Sequence, residues 1–277
     1  MIFLTGATGF VGRNILNGLD RAGIKTISLV RSEKDVKIFS GLKNAKYIIG
    51  NLFSMGDIIK ALPKIEIVIH LASSTNPLDP NIFNTNLEGT RGLLRLSSLK
   101  KVKRFIYLSS LNVEEMRDKY ASSKFLAEKL VEHSNLSFDI IRPPTIYGRY
   151  DNKNLSKIIK NLRSKKRIIT FPGYRNSYFV SVEEVVRVVL NCVLDSNNEK
   201  DSKIRILTEP MTHKDLILDL ISRGLIATKA YFLPKFLMKL YYFFRQKNKI
   251  SKKLEEDIED FQTIFVRSLK EGSFYLK

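Results

Sequence analysis

Tyr120 and Lys124, four positions apart in Tyr-Ala-Ser-Ser-Lys, are of the right type and spacing for proton chemistry. On a helix, positions i and i+4 share a face, so the phenol and the ammonium become neighbours. A free tyrosine has a pKa near ~10, too high for proton transfer at neutral pH. A cation held beside it favours the phenolate and lowers that value. Tyr-x-x-x-Lys arises often by chance, so its meaning depends on what surrounds it.

The surroundings begin at the first residues. Thr5-Gly6-Ala7-Thr8-Gly9-Phe10-Val11-Gly12 follows the apolar run Met1-Ile2-Phe3-Leu4 and leads into Asn14 to Leu19, apolar at helical spacing. Strand, glycine-rich turn and helix form the context in which a glycine pattern reads as a nucleotide site. Gly6 permits the tight turn, and Gly9 permits close approach of a pyrophosphate to backbone N–H groups. Gly12 lets the helix pack on the strand with its positive end toward the phosphates. The plainer alternative is a turn that collects glycine for steric reasons. With a dinucleotide bound, the positive nicotinamide ring of its oxidised form would join Lys124 in favouring the Tyr120 phenolate.

These residues need a frame, and strand-like and helix-like segments alternate through the first half. Lys25 to Val30, Ala45 to Ile49, Glu66 to His70, Arg104 to Leu108 and Phe138 to Ile141 read as strands after the opening one. Helical patterns fill the gaps, notably Asn81 to Lys100 and Tyr120 to His133. Such alternation predicts an α/β fold with a doubly wound parallel sheet. Val68 to Ala72 and Phe105 to Leu108 are continuous apolar runs, as strands buried on both faces should be. Pro143-Pro144 takes the chain out of the sheet. A helix over Asn154 to Arg163, a short strand at Tyr178 to Val180 and a helix over Val182 to Leu194 capped by Ser181 follow. The expected division is a Rossmann domain over 1–142, rejoined by 177–195, and a smaller substrate-binding lobe from 143–176 and 196–277. His70, within a buried strand, reads as a satisfied core histidine, and Cys192, beside Val188 and Val189 on a helix, as core.

Taken in order, the motifs resemble the extended short-chain dehydrogenase/reductase family, the NAD-dependent epimerase/dehydratase type. The resemblance covers about residues 1 to 195. It rests on TGATGFVG at 5–12, VIHLAS at 68–73, NTNLEGTRGLL at 84–94, FIYLSS at 105–110, YASSK at 120–124 and IIRPPTIYG at 140–148. It implies a Rossmann fold and catalysis by Ser110, Tyr120 and Lys124. Tyr120 would be the acid/base, Lys124 would bind the nicotinamide ribose and tune the tyrosine, and Ser110 would hydrogen-bond the reacting oxygen. It implies cofactor contacts from Gly6, Thr8, Gly9, Phe10, Val11, Gly12, Arg31, Asn51, Leu52, Leu71, Ala72, Asn86, Tyr120, Lys124 and Pro143. Taken singly, Ser109 and Ser110 could merely end a strand, and Asn86 could cap a local turn.

The second strand ends in Leu29-Val30-Arg31-Ser32, without the acidic residue that selects NAD, while arginine accommodates a 2′-phosphate. The expectation is NADP ahead of NAD. Asn51 stands where the family usually has an aspartate contacting the adenine. Leu111-Asn112 after Ser110 replaces the Asp-Glu pair of the 4,6-dehydratases and the cysteine of the GDP-fucose epimerase-reductases. Arg142-Pro143-Pro144 is similar to the 4-ketoreductases of cell-surface sugar synthesis. The leading reading is reduction of a 4-keto sugar nucleotide, and the second is a UDP-sugar 4-epimerase with tightly bound NAD. A third, of another class, is a non-catalytic nucleotide-binding or assembly protein, because Ser110 and Tyr120 are only ten positions apart, as in some non-catalytic relatives.

Composition bounds the rest. The chain has 277 residues, 44% hydrophobic, and a single cysteine, so no internal disulfide is expected. No Cys/His spacing suggests a metal, and no leader or membrane span is expected, which places the protein in the cytoplasm. The net charge of 47 − 28 = +19 is spread over nearly every helix without a nucleic-acid motif, so nucleic acid is not the expected partner. Compositional bias, a polyanionic substrate and a membrane surface compete to explain it. Residues 229–253 carry eight basic residues, seven aromatics and no acidic residue. They read first as a helix packed on the substrate lobe with snorkelling lysines, and second as a peripheral membrane contact, which would make a lipid-linked sugar a candidate substrate. A homodimer is a further expectation.

Overall fold

The structure, a computed structural model, describes residues 1–152, 155–163, 167–170, 177–195, 202–207, 210–226 and 229–232. The chain divides into two compact units. The first comprises Met1–Pro144 and Val180–Leu207; the second comprises Thr145–Phe179 and the described residues after Leu207.

In the first unit the elements run β1 (Ile2–Thr5), α1 (Phe10–Arg21), β2 (Thr26–Val30), β3 (Ala45–Ile49), α2 (Met55–Ala61), β4 (Ile67–His70), α3 (Gly89–Leu99), β5 (Arg104–Leu108), α4 (Lys119–Glu132) and β6 (Ser137–Arg142). α6 (Val182–Leu194) and β10 (Lys203–Ile206) return to it. The seven strands form one sheet in the order β10-β6-β5-β4-β1-β2-β3, with every pair parallel. The chain therefore winds outward in both directions from the gap between β1 and β4, the switch point of a Rossmann fold.

Alternation along the strands sorts side chains onto the two faces. Ile2, Leu4, Ile67, Ile69 and Ile106 pack with Ile15, Leu16 and Leu19 of α1 and Val189 and Cys192 of α6. Phe3, Val68, Phe105 and Tyr107 pack on the other face with Leu93 and Leu96 of α3 and Ala127 and Val131 of α4. Cys192 is fully buried, as expected of a core thiol, and burial pushes it up to about 12.

Strand β10 corrects one expectation, since residues from 196 onward were assigned to the smaller lobe. Lys203–Ile206 instead extends the main sheet, in register with Asp139 to Arg142 of β6. Asp139, fully buried, takes Arg104 Nε of β5 at 2.5 Å and Arg205 Nε of β10 at 2.9 Å, tying three strands through one carboxylate.

The second unit contains β7 (Thr145–Tyr147), α5 (Ser156–Arg163), β8 (Arg167–Thr170), β9 (Ser177–Ser181, reaching into the first unit), β11 (Pro210–Met211), α7 (His213–Ser222) and β12 (Lys229–Phe232). β11, β9 and β7 form one small sheet, and β8 pairs with β12. Leu155, Ile159, Leu162, Phe179, Leu216, Ile217 and Leu220 make its core, and the Tyr147 hydroxyl donates to Asp219 at 2.6 Å. Of the basic aromatic stretch 229–253, Lys229–Phe232 is strand β12; the remainder, including the amphipathic segment after Pro234, lies outside the described residues. No helix among the described residues is long and apolar enough to cross a membrane.

Candidate active site

Every residue proposed for the site in the sequence, outside α1, α4 and the segment around Asn86, follows the carboxyl end of a parallel strand. Gly6 follows β1, Arg31 follows β2, Asn51 and Leu52 follow β3, Leu71 and Ala72 follow β4, Ser110 follows β5 and Pro143 follows β6. This is the edge at which open α/β sheets bind ligands.

The glycine turn is built for close approach. Gly6 adopts φ +77°, and a Cβ there would lie 2.6 Å from Ala72 N. A Cβ on Gly12 would lie 2.0 Å from the Gly6 carbonyl oxygen and 2.9 Å from Ala7 Cα, all backbone. Gly9 then stands as the N-cap of α1, with no side-chain cap and no acidic residue in the first turn. The first N–H groups of a helix lack intrahelical partners, so this donor set fits the pyrophosphate of a dinucleotide. Thr8, Phe10 and Val11 are half-buried around the turn, whereas Gly9 is exposed. Arg31 is exposed at the end of β2. Asn51 is also exposed, and its side-chain oxygen accepts from Phe53 N (2.8 Å) and Ser54 Oγ (3.1 Å), leaving only its NH₂ for a ligand. Leu52 packs where a Cβ on Gly89 would meet it at 2.9 Å, at the start of α3.

The catalytic candidates come together around the end of β5. Asp118 caps α4 by accepting from Ala121 N at 2.7 Å, which fixes the start of the helix one residue before Tyr120. Leu111–Glu114 forms a short 3-10 turn in the brief connection to it. Leu111 N donates to the Pro143 carbonyl at 2.9 Å, holding the segment after Ser110 to the end of β6. Ser110 stands close enough to Tyr120 to pull its phenol down, and its own Oγ accepts from Asn112 N at 3.2 Å. Lys124 is buried; its ammonium donates to the Leu108 carbonyl at 2.5 Å and sits 4.0 Å from the centre of the Tyr107 ring.

Electrostatics departs from the sequence expectation. Tyr120 is half-buried, and burial pushes the phenol up to about 12, against Ser110, which pulls it down. Burial also lowers Lys124 to about 7, with Glu128 opposing that fall. Burial, not the lysine, sets the direction for Tyr120: removing both groups from water favours the neutral phenol and weakens the cation.

Asn86 is the hub between the β4 loop and α4. Its side-chain oxygen accepts from Ser74 N (2.7 Å) and Ser73 Oγ (3.0 Å), and its NH₂ donates to Ser74 O (2.9 Å) and Ser123 Oγ (2.8 Å). All four capacities of the amide are used. The helix expected over Asn81 to Lys100 is present, and within it the backbone takes a π-helical turn over Asn84–Glu88.

His70 is a satisfied core histidine, as its strand position suggested. Its Nδ1 lies 2.8 Å from Thr5 Oγ1 and its Nε2 lies 3.0 Å from Thr90 Oγ1. Because Thr90 donates its proton to the Asn86 carbonyl at 2.6 Å, it must accept from His70, which fixes the Nε2–H tautomer. The chain of bonds links β1, beneath the glycine turn, to the Asn86 hub. Burial lowers His70 to about 3, with Lys124 adding to the fall. The ¹⁵N signals of this ring are therefore expected to stay neutral and Nε2-protonated from pH 7 down to 4.5; protonation above pH 5 would contradict the network. The unfolded ring binds a proton near its ordinary value, so this group costs stability as pH falls from about 6.5 towards 3, by up to about 1.4 kcal/mol per unit.

Sequence reasoning missed Glu128 and Arg142. The signal was present: Tyr120, Lys124 and Glu128 form one i, i+4, i+8 stripe on a helix.

With fold and geometry in place, the chain belongs to the NAD dependent epimerase/dehydratase family, an enzyme family whose model matches residues 2–206. It is similar to a 4-hydroxy-2-methyl-3-oxo-4-farnesyl-3,4-dihydroquinoline-1-oxide ketoreductase of Stigmatella aurantiaca, at 26% identity, covering 75% of this chain and 67% of that protein. It is also similar to UDP-glucose 4-epimerase of Vibrio cholerae, at 27% identity, covering 69% and 66%. Against several further curated relatives the match spans about half their length. Among solved structures, UDP-glucuronic acid 4-epimerase of Bacillus cereus, in complex with UDP-glucuronic acid and NAD, shares the fold with a TM-score of 0.64 at 17% identity, covering 84% of this chain and 85% of that one.

Proposed function

We propose that the protein reduces a 4-keto sugar carried on a nucleotide, with NADPH as the preferred reductant. The observation that carries this reading is the pairing of Ser110 with a Tyr120 that burial keeps protonated at ordinary pH. A protonated phenol beside a hydroxyl is a proton donor aimed at a developing alkoxide. The backbone of Gly6, Gly9 and Gly12 would hold the pyrophosphate, with Thr8, Phe10 and Val11 around it. Arg31 would take the 2′-phosphate, Asn51 and Leu52 would border the adenine, Leu71, Ala72 and Pro143 would complete the pocket, and Asn86, buried with its amide fully paired, would brace that wall from behind. The bound dinucleotide supplies the hydride. Lys124 holds the ribose, Ser110 fixes the carbonyl oxygen, and Tyr120 delivers the proton to that oxygen, regaining one from solvent afterwards. Dehydration is disfavoured because Leu111 is buried, Asn112 has no acidic group, and the acids of the connection, Glu114 and Glu115, face Arg142 and Arg117.

The second reading, a UDP-sugar 4-epimerase, is favoured by the similarity to the Vibrio cholerae protein. One experiment separates them. Incubation with a UDP-4-keto-6-deoxy sugar is expected to consume NADPH one for one, and faster than NADH. Inversion at C4 of a plain UDP-sugar without NADPH consumption would instead establish the epimerase. Neither activity would leave the non-catalytic class, and equal use of NADH would remove Arg31 from its role.

A further inference from the structure

Lys124 carries its charge in an unusual setting. It is 2% exposed, and its two contacts, the Leu108 carbonyl and the Tyr107 ring, are neutral groups. Among the described residues no carboxylate lies within 4.0 Å of its ammonium. Neighbouring His70 on β4, Tyr107 on β5 and Tyr120 on α4 are neutral at ordinary pH. Of the carboxylates on the elements around it, Asp118 caps the start of α4, Glu132 pairs with Lys129 and Asp139 of β6 holds Arg104 and Arg205, whereas Glu128, one helical turn further along α4 and fully buried, acts on Lys124.

Glu128 does not hang free. Arg142, at the end of β6, grips both its oxygens, Nε at 3.0 Å and a terminal nitrogen at 2.6 Å. The same guanidinium is 3.7 Å from Glu114, in the turn after Ser110. Arg142 thus shares its positive charge between two carboxylates, and Glu128 retains a field directed along the helix. Glu128 acts on Lys124 by raising its proton affinity, and acts on Tyr107 likewise. Stability alone accounts poorly for such a pair, because apolar residues of similar volume usually serve a buried position as well or better.

We propose that Glu128, clamped by Arg142, is a positioning residue that acts through Lys124, holding its side chain in the charged form beneath Tyr120. The role rests on the reductase reading, since a charged lysine matters where Tyr120 must exchange protons beside a cofactor ribose. Without the carboxylate, a buried ammonium with only neutral contacts loses its proton at lower pH.

The test reads Lys124 directly, apart from turnover. In protein carrying ¹³C-labelled lysine, the Lys124 Cε signal is assigned by its absence in Lys124→Met and titrated. Glu128→Gln is expected to lower its midpoint by about one pH unit or more. Glu128→Gln combined with Arg142→Gln, which leaves no orphaned charge, is expected to lower it too. Glu132→Gln, removing a carboxylate that pairs with Lys129 instead, should leave it in place. The alkaline limb of NADPH consumption should move down with the midpoint, with partial return in Glu128→Asp. An unchanged Lys124 midpoint in both Glu128 variants, whatever their thermal stability, would overturn the proposal. A lowered midpoint in a protein whose wild type consumes no NADPH would keep the Glu128–Lys124 coupling and sink the reductase reading instead.

Discussion

Gly12→Ala is expected to weaken dinucleotide binding by roughly 100-fold or more, measured by titration of the folded variant. The added Cβ would meet the Gly6 carbonyl oxygen at 2.0 Å and Gly6 C at 2.7 Å. Both are backbone atoms at the tightest part of the turn, so no rotamer change relieves the clash. The start of α1 must back away from β1, and the N–H groups that would face the pyrophosphate move with it. Gly56→Ala supplies the control. Gly56 lies in α2 with nothing within 4 Å of an added Cβ, so this variant should bind as the wild type does and gain slightly in stability. Wild-type affinity in Gly12→Ala would mean that the turn does not hold the phosphates.

That turn was legible because its signal is local: glycines at fixed spacing between an apolar run and a helical pattern. The central strands were legible for a related reason. Residues 67–69 and 105–107 are buried on both faces, so these stretches run apolar without interruption. Strand β10 was not legible. Lys-Ile-Arg-Ile is an edge strand whose Ile204 and Ile206 remain 45% exposed, and its anchor, Arg205 on Asp139, spans 66 positions. Asn86 could be picked out by resemblance, but its π-helical turn could not. The side-chain bonds to Ser74 and Ser123 come from other elements, so the helical pattern of the segment gave the helix but not its one widened turn.

The chemistry divides in the same way. Spacing alone placed Tyr120 beside Lys124, because i and i+4 share a helix face. It could not say which way their proton affinities would go, since that depends on how much water each group loses. Burial of Lys124 under Tyr107 and the Leu108 carbonyl is a property of β5 and α4 packed together. For the same reason Glu128 looks like any exposed helix glutamate until Arg142 arrives from β6.

Tyr120→Phe is the variant on which the catalytic reading turns. The phenyl ring fills the same space, so helix α4, its Asp118 cap and the Ser123–Asn86 bond should persist. What disappears is the hydroxyl beside Ser110. Loss of a positioned proton donor costs roughly 10²–10⁴-fold in rate. Turnover of the 4-keto sugar should fall by that factor while dinucleotide affinity, set by the glycine turn, stays within a few-fold of wild type. The contrast with Gly12→Ala is the point of the pair: one variant should lose binding, the other chemistry. Because Tyr120 is held protonated by burial up to about 12, wild-type turnover should show no alkaline limb from this phenol below pH 10. A limb near 7 belongs to Lys124 and should survive in the residual activity of Tyr120→Phe. Turnover undiminished in Tyr120→Phe would remove the phenol from the reaction and leave Ser110 and Lys124 without the donor they are arranged around.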